Sequence, residues 1–272
     1  MTRFLIVPQW QGSPSSRSMR LIDGAQAIAG DLPRAACTVV DVPVEAGEAQ
    51  DTGIRRFTTL ARVRESIDAA LATLPADEPV LTVGGDCGVA IGAISHAATR
   101  HPDLAVLWLD AHGDFHAPST SPSGAFAGMA TRAATGQVDK ALNGGITASR
   151  IVIAGARAWD DDERESAARA GVSIVGVEEI SRAEAVVDAV VATGARHVYI
   201  HVDLDVLDPS AITGVTAPVP FGCSVASVVG VIAAVRARLP LVGSSLCGFA
   251  PASPAEAVED QGSILRIIGA LA

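Results

Sequence analysis

Carboxylates and histidines occupy alternate positions in two short segments of the sequence. Asp110, His112 and Asp114 form the first group, and Asp203 and Asp205 form the second. Side chains at alternate positions of an extended chain point to the same side, so each group can converge. Carboxylates gathered at the end of a buried strand repel one another unless a cation neutralises them. This set of oxygen and nitrogen donors favours hard or borderline divalent ions such as Mn²⁺.

Four carboxylates with few neutral donors suit two divalent ions better than one. Two ions about 3.5–4 Å apart can share a water and lower its pKa enough to give hydroxide near neutral pH. The alternative is that these aspartates cap helices or form turns, since aspartate is favoured at strand-to-helix corners. A turn role explains one isolated aspartate more readily than two alternating groups, so the pattern predicts a binuclear metal site.

Each polar group follows a short apolar run, and such runs recur along the chain. Most runs are continuous rather than alternating, which is typical of strands buried on both faces of a parallel sheet. Helix-like segments separate the runs, and this alternation indicates an α/β domain. We predict strands at 4–8, 37–42, 80–83, 104–109, 150–154, 173–177, 197–204 and 244–249. We predict helices at 56–74, 89–100, 181–193, 224–238 and 262–271.

The segment 114–128 interrupts this alternation with prolines, serines and glycines, and it is predicted to be a loop after the carboxyl end of a strand. Ligands bind at that end of open α/β sheets. The chain has 272 residues and no internal repeat or long linker, so we expect one domain spanning 1–272.

The composition excludes several classes of protein. With 20 basic and 30 acidic residues, the net charge of −10 argues against a nucleic-acid binder, which needs a basic face. The four cysteines show neither the pairing nor the density of a disulfide or zinc-finger framework. The sequence contains no apolar run long enough for a membrane span and no signal-peptide core, so we expect a soluble cytoplasmic protein. We also expect a monomer, because the chain ends soon after its last helix-like segment.

Three segments resemble the signature motifs of the ureohydrolase family, which includes arginase and agmatinase. The GGDH-type, DAHxD and DxDxxDP motifs of that family correspond here to 84–87, 110–114 and 203–209. The resemblance implies a three-layer arginase-like α/β fold with a mostly parallel eight-stranded sheet flanked by helices, and it implies a site for two Mn²⁺ ions. The motif positions also imply the ligands: Asp110 and Asp203 would bridge the ions, His112 and Asp205 would bind one ion, and Asp114 and Cys87 the other.

Three positions depart from the family pattern. Cys87 replaces a histidine, and a cysteine binds metal only as the thiolate, which is softer than Mn²⁺ prefers. Ala127 stands where the family has its acid–base histidine, and Pro251 stands at or beside its guanidinium-binding glutamate. Asp86, next to Cys87, is expected to shape the turn rather than to bind metal.

The positions that bind the amino-acid end of the substrate are better preserved. The resemblance implies that Ser123 and His116 contact the substrate carboxylate, with His116 in place of an asparagine. It also implies that Asp160 and Glu163 bind the α-ammonium group of a guanidino amino acid. The alternative for those two acids is an ordinary acidic surface loop.

The altered positions point to a substrate whose guanidine carbon is easier to attack than that of arginine. A hydroxyl on the guanidine nitrogen lowers its basicity and makes its carbon more electrophilic. The combination of Cys87 and Ala127 is similar to the Nω-hydroxy-L-arginine amidinohydrolase branch of the family, which supplies D-cycloserine biosynthesis. That resemblance implies cleavage to hydroxyurea and L-ornithine by attack of a metal-bridging hydroxide. We hypothesise that Asp114 carries the proton to the leaving amine.

Three alternatives remain open from the sequence. The first is a ureohydrolase acting on arginine, agmatine or another guanidino compound. The second is a metal-independent cysteine amidinohydrolase with Cys87 as nucleophile and His112 or His116 as base, which leaves Asp203 and Asp205 unexplained. The third is a non-catalytic arginase-fold binding protein.

Overall fold

All eight predicted strands are present and form one sheet in the computed structural model, which describes residues 2–75 and 78–272. Every adjacent pair of strands is parallel, in the order β2-β1-β3-β8-β7-β4-β5-β6. The strands are β1 Arg3–Val7, β2 Cys37–Val39, β3 Val80–Gly84, β4 Leu104–Leu109, β5 Ile151–Ala154, β6 Ser173–Val175, β7 His197–Asp203 and β8 Leu241–Cys247.

Helices cover both faces of the sheet, so the predicted three-layer fold is confirmed. The helices are α1 Arg20–Gly30, α2 Phe57–Thr73, α3 Ala90–Arg100, α4 Ala130–Ala134, α5 Glu163–Ala170, α6 Val177–Ile180, α7 Ala183–Ala192, α8 Val225–Arg236 and α9 Pro254–Leu271. One core lies between the sheet and α1, α6, α7, α8 and α9, and the other lies between the sheet and α2 to α5. Within residues 2–75 and 78–272, no helix is both long enough and apolar enough to cross a bilayer.

The continuous apolar runs exist because the central strands pack against a helical layer on each side. In β4, every residue is buried: Val106 and Trp108 join one core, while Ala105, Leu107 and Leu109 join the other. Side chains alternate between the faces of a strand, so a strand covered on both faces needs apolar residues at every position.

The helices differ from the prediction at several places: α1, α4, α5 and α6 were not predicted, and α9 begins earlier than predicted. The sequence analysis missed α1, whose buried stripe of Leu21, Ala25 and Ile28 is interrupted by Gly24. Gly24 lies against the backbone of Phe249, since a Cβ there would stand 1.9 Å from the Phe249 carbonyl oxygen. Helix α9 begins at Pro254 instead of 262, because its first two turns carry mostly polar and exposed residues that resemble a loop.

Helix α9 also fixes a loop at the carboxyl edge of the sheet through one buried carboxylate. Asp260 is 5% exposed, and its oxygens accept hydrogen bonds from the Thr213 amide at 3.1 Å and from the Gly214 amide at 2.7 Å. The Thr213 hydroxyl donates to the same carboxylate at 3.2 Å. Asp260 therefore connects the last helix to the segment that enters the functional site.

We expect Asp260→Ala to lower the free energy of unfolding by about 2–4 kcal/mol, because it leaves two backbone amides without an acceptor. Urea unfolding of the two proteins measures this difference. Glu259→Ala, at the exposed neighbouring position of α9, is the matched control and should change stability by less than about 0.5 kcal/mol. Equal stabilities of the two variants would contradict this role for Asp260.

Candidate metal centre and active site

A cavity of approximately 550 Å³ opens at the carboxyl edge of the sheet. Strand order explains its position, because β8 and β7 lie between β3 and β4, and the polar segments that follow these strands meet there. The structure brings all six predicted metal-binding residues to this cavity: Cys87, Asp110, His112, Asp114, Asp203 and Asp205. The volume falls in the range of small-molecule sites.

The chain near β4 and β7 orients the two predicted bridging aspartates. Asp110 accepts hydrogen bonds from the Trp108 indole at 3.0 Å and from the backbone amide of His112 at 2.7 Å. Asp203 ends β7, and its Oδ1 accepts from the amide of Asp205 at 2.8 Å. The Cys87 thiol donates to Asp203 Oδ2 at 2.8 Å, so the cysteine lies against the predicted bridging carboxylate.

His112 lies between two carboxylates. Its Nδ1 is 3.5 Å from Asp110 Oδ1 and 3.0 Å from Asp205 Oδ2. Burial alone would lower the pKa of His112, but hydrogen bonds and ion pairs with Asp110 and Asp205 raise that pKa to about 12. Without a metal, His112 is the cation that partly balances these acids.

The carboxylates as a group lack a sufficient counter-charge. Burial, and then the charge of Asp205, raises the pKa of Asp203 to about 7. Burial and then Asp110 raise the pKa of Asp114 well above its usual range, and burial raises the pKa of Asp110 itself. The Cys87 thiol likewise has a raised pKa, through burial, Cys247 and the surrounding acids. Oxygen, nitrogen and sulfur donors converge here, and their raised pKa values reflect a negative charge that no cation balances. This arrangement fits a metal site.

Asp86 has different contacts from its neighbour Cys87. Its carboxylate accepts hydrogen bonds from the Gln9 side chain at 2.9 Å, the Gly12 amide at 2.9 Å and the Gly88 amide at 3.0 Å. These bonds shape the turn after β3 and join it to the segment after β1.

His201 is a residue of the site that the sequence analysis did not single out. It is fully buried, stacks on Trp108 with ring centroids 3.6 Å apart, and places Nδ1 2.7 Å from Ser245 Oγ. Burial lowers its pKa to about 3. Its Nε2 has no hydrogen-bond partner among the described residues, yet a donor atom of His201, Cys87 Sγ and an Asp110 oxygen lie within 4.8 Å of one another. The alternation that linked Asp203 to Asp205 also extends back to His201, so this signal was present in the sequence.

The predicted amino-acid subsite is assembled in part. His116 Nε2 lies 2.9 Å from Asp160 Oδ2, and both residues line the cavity with Glu163. Glu163 begins α5, is buried and accepts a hydrogen bond from the Phe115 amide at 2.8 Å, whereas Asp160, Asp161 and Asp162 are exposed and precede the helix. Ser123 is exposed outside the residues that line the cavity.

The remainder of the cavity wall includes residues whose side chains carry neither a carboxyl nor an imidazole group. Ala127, at the family's acid–base position, lines the cavity, whereas the buried Pro251 does not. Ser13, Ser15 and Thr216 add hydroxyl-bearing residues to the wall. The sequence analysis missed these three, because serine and threonine in turns are too common to indicate a site.

The sequence as a whole matches the model of the Arginase family over residues 18–262. The chain belongs to the arginase family. It is 35% identical over 211 residues to the N(omega)-hydroxy-L-arginine amidinohydrolase of Streptomyces lavendulae, an alignment that covers 77% of this chain and 74% of that protein.

Solved arginase structures share the fold over nearly the whole chain. The arginase of Bacillus caldovelox superposes with a TM-score of 0.85 at 26% identity, covering 99% of this chain and 97% of that one. The proclavaminate amidino hydrolase of Streptomyces clavuligerus gives a TM-score of 0.73 at 21% identity, covering 99% and 91%, a likeness of fold alone. The protein is therefore an arginase-family amidinohydrolase with candidate ligands for the family's binuclear metal centre.

We expect the metal-free protein to lose stability as the pH rises from about 4 to about 7. Burial raises the pKa of Asp203 from 3.8 to about 7, so the folded state holds a proton that the unfolded state releases. The resulting stability is present at low pH and is lost as Asp203 ionises; a tenfold change in proton affinity corresponds to about 1.4 kcal/mol. Asp86, with a pKa raised to about 6 by burial, acts in the same direction. His201, whose pKa burial lowers to about 3 from 6.5, opposes these acids below about pH 6.5, so the net loss is smaller than the carboxylates alone would give.

Urea unfolding in the presence of a chelator at pH 5 and pH 8 measures this loss. Asp203→Asn, which is isosteric and neutral, should reduce the difference between the two pH values. Divalent metal should restore stability mainly at pH 8, because its ligands must lose their protons to bind. A metal-free protein that is more stable at pH 8 than at pH 5 would contradict the expectation.

Proposed function

We propose that the protein cleaves Nω-hydroxy-L-arginine to hydroxyurea and L-ornithine at a binuclear Mn²⁺ site, and that it supplies antibiotic biosynthesis of the D-cycloserine type. The observation that carries the proposal is Ala127 on the cavity wall, because a methyl group replaces the family's acid–base histidine. The similarity to the Streptomyces lavendulae protein supports the same substrate.

The charges along the cavity suit a substrate with different groups at its two ends. The carboxylates after β4 and β7 would hold the ions near the guanidine carbon. His116, Asp160 and Glu163 form a second polar group on the cavity wall, where the carboxylates can bind the α-ammonium group. By the resemblance Ser123 would contact the substrate carboxylate, although it lies outside the residues that line the cavity.

Six residues would hold the two ions, which supply an activated water and stabilise negative charge on the substrate: Cys87, Asp110, His112, Asp114, Asp203 and Asp205. The protein's own part in the hydrolysis is then to move protons. A bond forms between the water oxygen and the guanidine carbon, and the bond from that carbon to the δ-nitrogen of the ornithine part breaks. Asp114 is the acid that would accept a water proton and pass it to the leaving nitrogen.

The hydroxyl group of the substrate compensates for the two missing family residues. Arginine keeps its guanidinium charged and needs both a carboxylate to bind it and an acid to protonate the leaving amine. Hydroxyguanidine is less basic, so it reaches the site in a more neutral and electrophilic form. Ala127 and Pro251 are then tolerable replacements.

The cysteine amidinohydrolase alternative is less consistent with the environment of Cys87. A nucleophilic cysteine needs a stabilised thiolate, which an electropositive surrounding provides. Here burial and neighbouring acids raise the pKa of the Cys87 thiol, and its proton is donated to Asp203. Only added cations would favour the thiolate, and a chelator should therefore abolish activity.

We expect the Mn²⁺-loaded enzyme to show a kcat/KM for hydroxyarginine at least about 100-fold above that for arginine or agmatine, the scale of one general acid–base group. Chromatographic separation of hydroxyurea from urea, with ornithine quantified, measures the reaction. A preference for arginine or agmatine would overturn this substrate assignment within the family.

The matched variants for this assay are Ala127→His and Ala127→Asn. The histidine can exchange a proton near neutral pH, so Ala127→His should reduce the ratio of kcat/KM for hydroxyarginine to kcat/KM for arginine. The asparagine is polar but cannot exchange a proton in that range, so Ala127→Asn should leave this ratio of kcat/KM values unchanged.

We expect Asp114→Asn to lower kcat for hydroxyarginine by about 10²–10⁴-fold, because an amide cannot carry the proton. Elemental analysis must show that the variant still holds its metal, since Asp114 is also a proposed ligand. Asp188→Asn, on the exposed surface of α7, is the control and should keep full activity. Near-normal turnover of a fully loaded Asp114→Asn enzyme would exclude Asp114 as the proton carrier.

A further inference from the structure

His201 lies directly beside the row of predicted metal ligands in the sheet. In β7 it pairs with Trp108 of β4 and with Ser245 of β8. Two residues further along β7, on the same face, Asp203 pairs with Cys247. The position of His201 is therefore fixed by the register of three central strands.

The imidazole ring of His201 is held in one orientation by contacts on two sides. Trp108 stacks on it with an interplanar angle of 21°, and Ser245 Oγ lies 2.7 Å from Nδ1. Histidine ligands of metals usually donate their second ring N–H to an outer acceptor, which fixes the tautomer. When Nδ1 donates to Ser245, the lone pair of Nε2 is free to bind a metal.

One ring nitrogen of His201 belongs to a cluster that contains Cys87. Nε2 of His201 is buried without a hydrogen-bond partner among the described residues. His201, Cys87 and Asp110 each contribute one donor atom to a group whose members lie within 4.8 Å of one another. Donor atoms that share one ion at about 2.0–2.3 Å are separated by no more than about 4–5 Å. An orphaned buried nitrogen in such a group costs free energy unless it binds something.

We propose that His201 Nε2 is a ligand of the ion that Cys87 binds, so that the imidazole absent at position 87 is supplied from β7. This inference rests on the proposed binuclear centre but not on the identity of the substrate. One ion would then have a thiolate, an imidazole and carboxylates around it, whereas the other would have His112 and carboxylates. Thiolate and imidazole donors favour softer ions, so the two positions should differ in metal preference.

The full-length protein loaded with two equivalents of Co²⁺ tests this ligand set directly by proton NMR. High-spin Co²⁺ shifts the ring protons of coordinated imidazoles far from the ordinary spectrum, and incorporation of ring-deuterated histidine identifies them. We expect two coordinated imidazoles, including one slowly exchanging N–H from the buried His201 ring. A spectrum with one coordinated imidazole would overturn the proposal. The measurement uses the wild-type protein, so its outcome does not depend on the folding of a variant.

His201→Asn tests the assignment, because its amide can keep a hydrogen bond to Ser245 while it lacks the Nε2 donor. We expect the Asn variant to show one coordinated imidazole and at least about 100-fold weaker Co²⁺ binding at one site, measured by chelator competition. Loss of an outer partner typically costs only about 10–100-fold. His197→Asn, the same substitution at the opposite end of β7, should keep both imidazoles and both affinities.

Two outcomes separate this proposal from the proposed function. If the wild-type protein shows two coordinated imidazoles but does not hydrolyse hydroxyarginine, the His201 assignment stands and the substrate is wrong. If it hydrolyses hydroxyarginine with one coordinated imidazole, and His201→Asn binds both ions normally, the function stands and the ligand assignment is wrong.

Discussion

The repulsion among buried carboxylates at one edge of the sheet is the constraint on which the site depends. Asp110, Asp114, Asp203 and Asp205 are each at most 8% exposed and converge on one cavity. Water cannot solvate them fully, and His112 alone does not balance them. Backbone amides and the Trp108 indole donate to Asp110, Asp203 and Asp205 and fix the directions of these three carboxylates. These donors orient the acids for cations without neutralising them.

The parallel sheet is what makes this convergence possible. Each strand ends at the same edge, so the residues that follow β3, β4 and β7 meet although they are far apart in sequence. Burial of β4 and β7 on both faces holds the strand ends in register to within hydrogen-bond distances. Antiparallel neighbours would have placed alternate strand ends at opposite edges. The continuous apolar runs therefore form the buried parallel strands that bring the polar segments after them together at one edge of the sheet.

The sequence predicted the features that depend on local pattern and missed those that depend on contacts between distant segments. Continuous apolar runs located all eight strands, and alternation located the acids that now line the cavity. Helix α1 was missed because its packing uses glycine against the Phe249 backbone, which carries no hydrophobic signal. His201 follows the same alternation as Asp203, but its pattern lies within an apolar strand and resembles an ordinary core residue. Its unpaired nitrogen becomes visible only when the register with Trp108 and Ser245 is known.

The charge of the loaded site links its ligands to its substrate. Four carboxylates and one thiolate would contribute five negative charges, and two divalent ions four positive charges, so part of the chain's net charge of −10 belongs to the metal site. A nearly neutral site of this kind attracts a guanidinium only weakly. Arginine hydrolysis would then depend on a separate carboxylate near the guanidinium, where this chain has Pro251. A hydroxyguanidine needs less of that attraction, because its lower basicity removes much of its positive charge. The replacement of the family's glutamate by Pro251 and of its acid–base histidine by Ala127 is thus consistent with one change of substrate, from arginine to hydroxyarginine.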